Sequence, residues 1–127
     1  MLNDVRKFQE KFTPSALPTV PTYIDNMEDR INHLQEELDE LFDALTIEEM
    51  ADALIDIVYI ALGTALQMGL PWEKLWGDVQ RANMSKVHGN SLRHVHDALK
   101  PPGWVGPKTL QILHAAGFRD ERDEDVC

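Results

Sequence analysis

The residues of this chain that could do chemistry are mostly carboxylates, and they gather in two neighbouring stretches. Glu36, Glu37, Asp39 and Glu40 lie in the first; Glu48, Glu49, Asp52 and Asp56 lie in the second. Glu37 and Glu40 are three residues apart, which places them side by side on a helix, with Glu36 further round toward the outside. Projected at about 100° per residue from Glu49, the residues Asp52, Asp56, Tyr59 and Gly63 fall within roughly 80° of one another. Nearly everything else from Met50 to Leu62 is apolar, so this stripe is expected to run between covered flanks. Aspartate is a poor helix former, and two on one stripe of an apolar helix need a reason. Carboxylates converging in a partly covered groove repel one another unless some hold protons or cations neutralise them. Hard divalent cations prefer oxygen ligands, and magnesium keeps open positions for phosphate oxygens. A merely solvated surface is the competing reading for Glu36 and Glu48, but it fits Asp52 and Asp56 poorly.

The elements that must position these groups are helical. Residues 3–12 read as a short helix with Val5, Phe8 and Phe12 on one side, and Pro14, Pro18 and Pro21 then impose an extended linker. From Asp25 to Ala44 the apolar positions Met27, Ile31, Leu34, Leu38, Leu41 and Leu45 alternate steps of four and three. Thr46 to Glu49 fits a capping box that opens a third helix running to about Met68, with Gly69 as its stop. Pro71 suits the first position of a fourth helix that continues to about Lys86 and ends near Gly89. A turn or loop follows at Lys100–Trp104, and a last short helix at Lys108–Ala116. No stretch has strand periodicity. The expected architecture is an all-α bundle of about four main helices, one domain over residues 1–117 with an acidic tail at 118–127. The short turn makes the second and third helices antiparallel neighbours. Counting outward from it, Glu40 comes level with Asp52, Glu37 between Asp52 and Asp56, and Glu36 roughly opposite Asp56.

Composition narrows the function classes. The chain has 127 residues and carries 22 Asp and Glu against 12 Lys and Arg, a net charge of -10. Such a charge repels nucleic acid and anionic membranes, and a polyanionic small substrate needs cations between it and the protein. The one cysteine, Cys127, excludes an internal disulfide and a cysteine-based zinc site. His33, His88, His94, His96 and His114 show no zinc-site spacing, and His94-x-His96 reads as a polar loop. The apolar run Ala51–Leu70 contains Asp52 and Asp56, which argue against a membrane span. Without a signal-peptide pattern at Met1–Arg6, the expected location is the cytosol of a bacterium or a phage-infected host.

Glu36-Glu37-Leu38-Asp39-Glu40, followed by Glu49-Met50-Ala51-Asp52 and the run to Tyr59, resembles the MazG-like all-α nucleoside triphosphate pyrophosphohydrolases. Their signature is EExxE followed by ExxD on adjacent helices. The chain is most similar to the compact phage and bacterial members of the phosphoribosyl-ATP pyrophosphohydrolase-like branch. Supporting matches are Asp4–Phe8, Gly63-Thr64-Ala65, Arg81-Ala82-Asn83-Met84-Ser85-Lys86 and the loop Lys100–Trp104, and the likeness covers residues 3–110. The gap between Glu40 and Glu49 is shorter than the family's. The flanking residues instead align Asp56-Ile57-Val58-Tyr59 with the family's second motif and put Ala53 where a glutamate is expected. Glu37, Glu40 and Asp56 therefore rank first as metal ligands, then Asp52 and Glu36, and Glu49 last, with capping as its alternative role.

The resemblance implies Mg²⁺, with Mn²⁺ accepted, gripping a triphosphate while Glu36 or Glu37 orients or deprotonates the attacking water. The products would be a nucleoside monophosphate and pyrophosphate. Asn83 and Lys86 share a face late in the fourth helix and, with Arg81, Lys100 and Trp104, are the candidate substrate contacts; Lys86 alternatively complements the helix dipole. Phe8 or Trp76 could stack on a base, although core packing is the commoner use of such aromatics. The third helix has more apolar circumference than its neighbours can cover, so a homodimer or homotetramer is expected. The implied role is trimming of the deoxynucleotide pool, leaning to a purine such as dGTP. Phosphoribosyl-ATP hydrolysis and a non-catalytic helical interaction module are the alternatives.

Overall fold

The computed structural model describes residues 1–89 and 98–120. His94, His96, Cys127 and most of the acidic tail lie outside them. Five helices form among the described residues: α1 (Leu2–Phe12), α2 (Met27–Asp43), α3 (Ile47–Gln67), α4 (Trp72–Met84) and α5 (Thr109–Ala115). The chain divides into two compact units between Leu70 and Pro71. The fold is the all-α arrangement expected, with one addition. Val87–His88 and Ala98–Leu99 pair as two short antiparallel strands, β1 and β2, with Val87 opposite Leu99. Strands of two residues carry no readable alternation, so periodicity could not reveal them.

In the first unit, α3 begins where its capping box requires. The Thr46 hydroxyl accepts the Glu49 backbone N–H at 3.1 Å and donates to the Glu49 carboxylate at 3.1 Å. The other end closes in a Schellman motif: Leu70 N–H reaches the Ala65 carbonyl at 3.0 Å and Gly69 N–H the Leu66 carbonyl at 3.0 Å. Gly69 takes φ +64, and a Cβ there would lie 2.7 Å from the Val20 carbonyl oxygen. That close approach lets the proline-rich linker run past the helix end, where Thr22 N–H bonds the Met68 carbonyl at 2.9 Å.

Helices α2 and α3 pack against each other as an antiparallel hairpin. Asn26 bonds Gln67, Arg30 bonds Thr64, and Glu37 meets Asp56, so each step up one helix is a step down the other. Helix α1 lies on the C-terminal half of α3, burying Val5 and Gln9. The buried residues of α3 are accordingly Ala53, Ile60, Leu62, Gly63, Ala65 and Leu66. Its N-terminal half departs from expectation. Ile55 is 67% exposed and Leu54 52%, and Asp52 and Asp56 are also exposed. The flanks of the aspartate stripe are thus exposed among the described residues.

In the second unit, Pro71 caps α4 rather than entering it: its ψ of 74 is not helical, and its carbonyl accepts Leu75 N–H at 3.1 Å. Arg81 clamps the loop that precedes α5. Its Nε bonds Asp78 at 2.9 Å, and its terminal nitrogens bond the Val105 and Gly106 carbonyls at 3.3 and 3.0 Å. Asp78 also accepts the Lys108 backbone N–H. The Trp104 indole donates to the Ala82 carbonyl at 2.8 Å, within the turn expected at Lys100–Trp104.

Two stability outcomes follow from these contacts. Gly69→Ala forces a side chain into a left-handed position against a backbone carbonyl, and urea unfolding is expected to show a loss of about 1–3 kcal/mol. The Lys108 N–H and the Arg81 guanidinium hold the Asp78 carboxyl below its usual range. Asp78 therefore stabilises the fold above its unfolded pKa, and this is lost as pH falls through the lower folded value. Asp78→Asn is expected to lower Tm at neutral pH and to flatten the fall of Tm on acidification.

Candidate metal centre

The α2–α3 hairpin brings one oxygen from each of Glu37, Glu40 and Asp56 to within 4.8 Å of one another. Glu37 and Glu40 come from one turn of α2, and Asp56 faces them from the middle of α3. Glu37 is half-buried, and its Oε2 is buried with no hydrogen-bond partner among the described residues. Burial pushes the Glu37 carboxyl up; a hydrogen bond with Glu40 and the charges of Glu40 and Asp56 push it further, while nearby His33 pulls it down. A buried, unpartnered carboxylate oxygen beside two more carboxylates is the donor set that a hard divalent cation takes.

Glu40 also lines a second cavity of about 430 Å³, together with Asp39, Asp43, Glu49 and Asp52. Glu40 and Asp52 thus share this cavity, and Glu40 also belongs to the cluster with Glu37 and Asp56. Glu49 lies at the cavity wall with its carboxylate on Thr46, the capping role given as its alternative. Glu36 is exposed and lines none of these cavities. A larger cavity of about 490 Å³ under the linker holds a single carboxylate, Asp25, and lacks the groups for such chemistry.

Glu37 and Asp56 also line a cavity of about 360 Å³. Phe8, Tyr59 and Ile60 form its apolar wall, with the Phe8 and Tyr59 rings edge to face at 5.5 Å between centroids. Gln9, Arg30 and His33 supply its polar groups. These three were missed by reading the sequence. A signal existed for Gln9: it follows Val5 by four residues and so occupies the buried face of α1, where a polar side chain is out of place.

In the second unit Lys86 and Lys100 both lie over the Trp104 ring, with ammonium groups 5.4 and 5.0 Å from its centroid. Asn83 is exposed one turn before Lys86. Arg81 uses its guanidinium on Asp78 and on the loop carbonyls described above. Among the described residues no helix is long and apolar enough to cross a membrane.

Residues 5–83 match the family described as phosphoribosyl-ATP pyrophosphohydrolase. No curated protein matches the chain. The matched stretch takes in α1, both carboxylate helices and α4 as far as Asn83, and it stops short of Lys86, Lys100 and Trp104. With the all-α fold and the carboxylates of α2 and α3 brought face to face, the chain belongs to the phosphoribosyl-ATP pyrophosphohydrolase family, within the MazG-like all-α pyrophosphohydrolases.

Proposed function

We propose that this protein hydrolyses a (deoxy)nucleoside triphosphate to the monophosphate and pyrophosphate, using Mg²⁺ held by Glu37, Glu40 and Asp56. The observation that carries this reading is the meeting of three carboxylates around a buried, unpartnered Glu37 oxygen, in a chain of a pyrophosphohydrolase family. Mg²⁺, or Mn²⁺ in its place, would be held by these carboxylates and would supply charge neutralisation and Lewis acidity toward the triphosphate. Glu37 or Glu36 orients the attacking water and takes its proton as the anhydride bond breaks. Asp52 and Glu49 extend the acidic surface past Glu40 and are lesser candidates for the ion. Asn83, Lys86, Arg81, Lys100 and Trp104 are proposed substrate contacts; of these, Lys86, Lys100 and Trp104 form one cluster.

The proposed substrate is a deoxynucleotide of the cellular pool, with a purine such as dGTP favoured by resemblance to the compact phage members. Phosphoribosyl-ATP is the second reading, favoured by the description of the matched family. A non-catalytic helical module is the third. We further propose a cytosolic homodimer or homotetramer, because Ile47, Leu54, Ile55 and Phe42 leave apolar surface of the hairpin uncovered. A panel of NTPs, dNTPs and phosphoribosyl-ATP with Mg²⁺, read for pyrophosphate against phosphate, tests these readings together. Pyrophosphate release from a dNTP is expected, and no release from any of them would leave only the module.

The crowding of the carboxylates gives two more outcomes. Glu37 has a raised pKa in the fold, so its contribution to metal-free stability is greatest below the ordinary carboxylate pKa of about 4.3. That contribution is lost as pH rises through the higher folded value. Metal-free Tm is thus expected to fall as pH rises past the ordinary carboxylate range, and millimolar Mg²⁺ or Mn²⁺ to restore it at neutral pH. Asp56→Asn removes one charge of the cluster. It is expected to raise metal-free Tm, to blunt the metal response and to lower hydrolysis on the order of a hundredfold. Unchanged metal response and activity in Asp56→Asn would place the ion elsewhere.

A further inference from the structure

Gln9 is only 6% exposed, yet it is polar and lines the cavity beside Glu37 and Asp56. The direction of its carboxamide follows from its partners. Asn26 Nδ2 donates to Gln67 Oε1 at 3.1 Å, which leaves Gln67 Nε2 to donate to Gln9 Oε1 at 3.0 Å. Thr13 Oγ1 donates to the same oxygen at 3.3 Å. Gln9 Nε2 is therefore turned away from this chain of bonds, and it has no acceptor among the described residues.

Arg30 lies against the same patch of α3. Its Nε donates to Thr64 Oγ1 at 2.9 Å and its Nη2 to the Ile60 carbonyl at 3.0 Å. Both partners are neutral, no carboxylate pairs with it among the described residues, and its remaining N–H groups are unengaged. Gly63 makes room for the pair: a Cβ there would lie 2.7 Å from Gln9 Nε2 and 2.9 Å from Arg30 Nη2. The cavity thus has, about Gly63, an edge of N–H groups that no acceptor of the described residues engages.

What those donors face depends on their distance from the carboxylates. Ile60 and Thr64 follow Asp56 by four and eight residues, about 6 and 12 Å along the helix axis. A phosphate held at the carboxylates leaves a sugar to span that interval and a base to reach the donors. The wall between is Phe8, Tyr59 and Ile60, which suits the face of a base and not a phosphate. We propose that Gln9 and Arg30 read the base of the substrate, selecting bases with an oxo group at this edge (guanine, uracil, thymine) over the amino bases adenine and cytosine. An oxo group accepts from these donors, and guanine adds N7 as a second acceptor. An exocyclic amino group would turn its own N–H toward a cation that is already partly desolvated. This rests on the proposed nucleotide hydrolysis and adds the chemistry of the base to it.

The test compares dGTP with dATP, and dUTP with dCTP, in wild type, Arg30→Met and Gly63→Ala, each with Mg²⁺. Binding of dGMP and dAMP is followed in parallel by calorimetry. The wild type is expected to show kcat/KM about tenfold or more higher for the oxo base of each pair. Both variants are expected to bring these ratios toward one while keeping the rise of Tm with Mg²⁺, which reports an intact fold and metal site. Gly63→Ala keeps every donor and only displaces it, so it remains informative if Arg30→Met fails to fold. Equal rates for oxo and amino bases in the wild type, or a uniform loss over all four bases in Arg30→Met, would overturn the inference. Preferential dGMP binding with no triphosphate hydrolysis would uphold base reading and overturn the proposed reaction. Hydrolysis with no base preference does the reverse.

Discussion

The register of α2 against α3 is the constraint on which the site depends. It is set at both ends: by the short turn into the Thr46 cap, and by Asn26 on Gln67 and Arg30 on Thr64 at the far end. A slip of one turn would move Asp56 by about 5.4 Å and take it out of reach of Glu37 and Glu40. The polar bonds near the base of α2 therefore do more than join two helices. They hold like charges together against their repulsion, since the cluster itself opposes the packing that creates it.

That opposition explains where the hairpin is strong and where it is open. The C-terminal half of α3 is covered by α1 and fastened by the linker, and there Ile60, Leu62, Ala65 and Leu66 are buried. The N-terminal half, which carries Asp52 and Asp56, packs on α2 and leaves Leu54 and Ile55 exposed. Stability is thus concentrated on one side of the carboxylates. The site stands at the border between a fastened segment and an exposed one, a common arrangement where binding groups must stay accessible.

Much of this was legible in the residues. The Thr46–Glu49 box, the Gly69 stop and the four-three spacing of α2 are local signals, and each helix formed within a few residues of its expected bounds. The face-to-face carboxylates followed from helical geometry and a short turn. What escaped notice depends on partners distant in sequence. Gln9 finds Gln67 and Arg30 finds Thr64 only once the chain has folded, and Arg81 clamps a loop that begins more than twenty residues later. The exposure of Ile55 was missed for a different reason. Periodicity shows which face is apolar, but not whether a neighbour is long enough to cover it.

The bonds from Asn26 through Gln67 to Gln9 have a direction, because every carboxamide that donates on one side must accept on the other. The polarity that Gln9 shows the cavity is therefore decided upstream, at residues that do not line it. A glutamate at position 67 would accept from both neighbours and reverse the last amide, presenting a carbonyl where an N–H group now stands. Drift among relatives could thus invert the recognition pattern of the cavity while every residue of its wall stays the same. Comparison of binding-site residues alone would not detect the change.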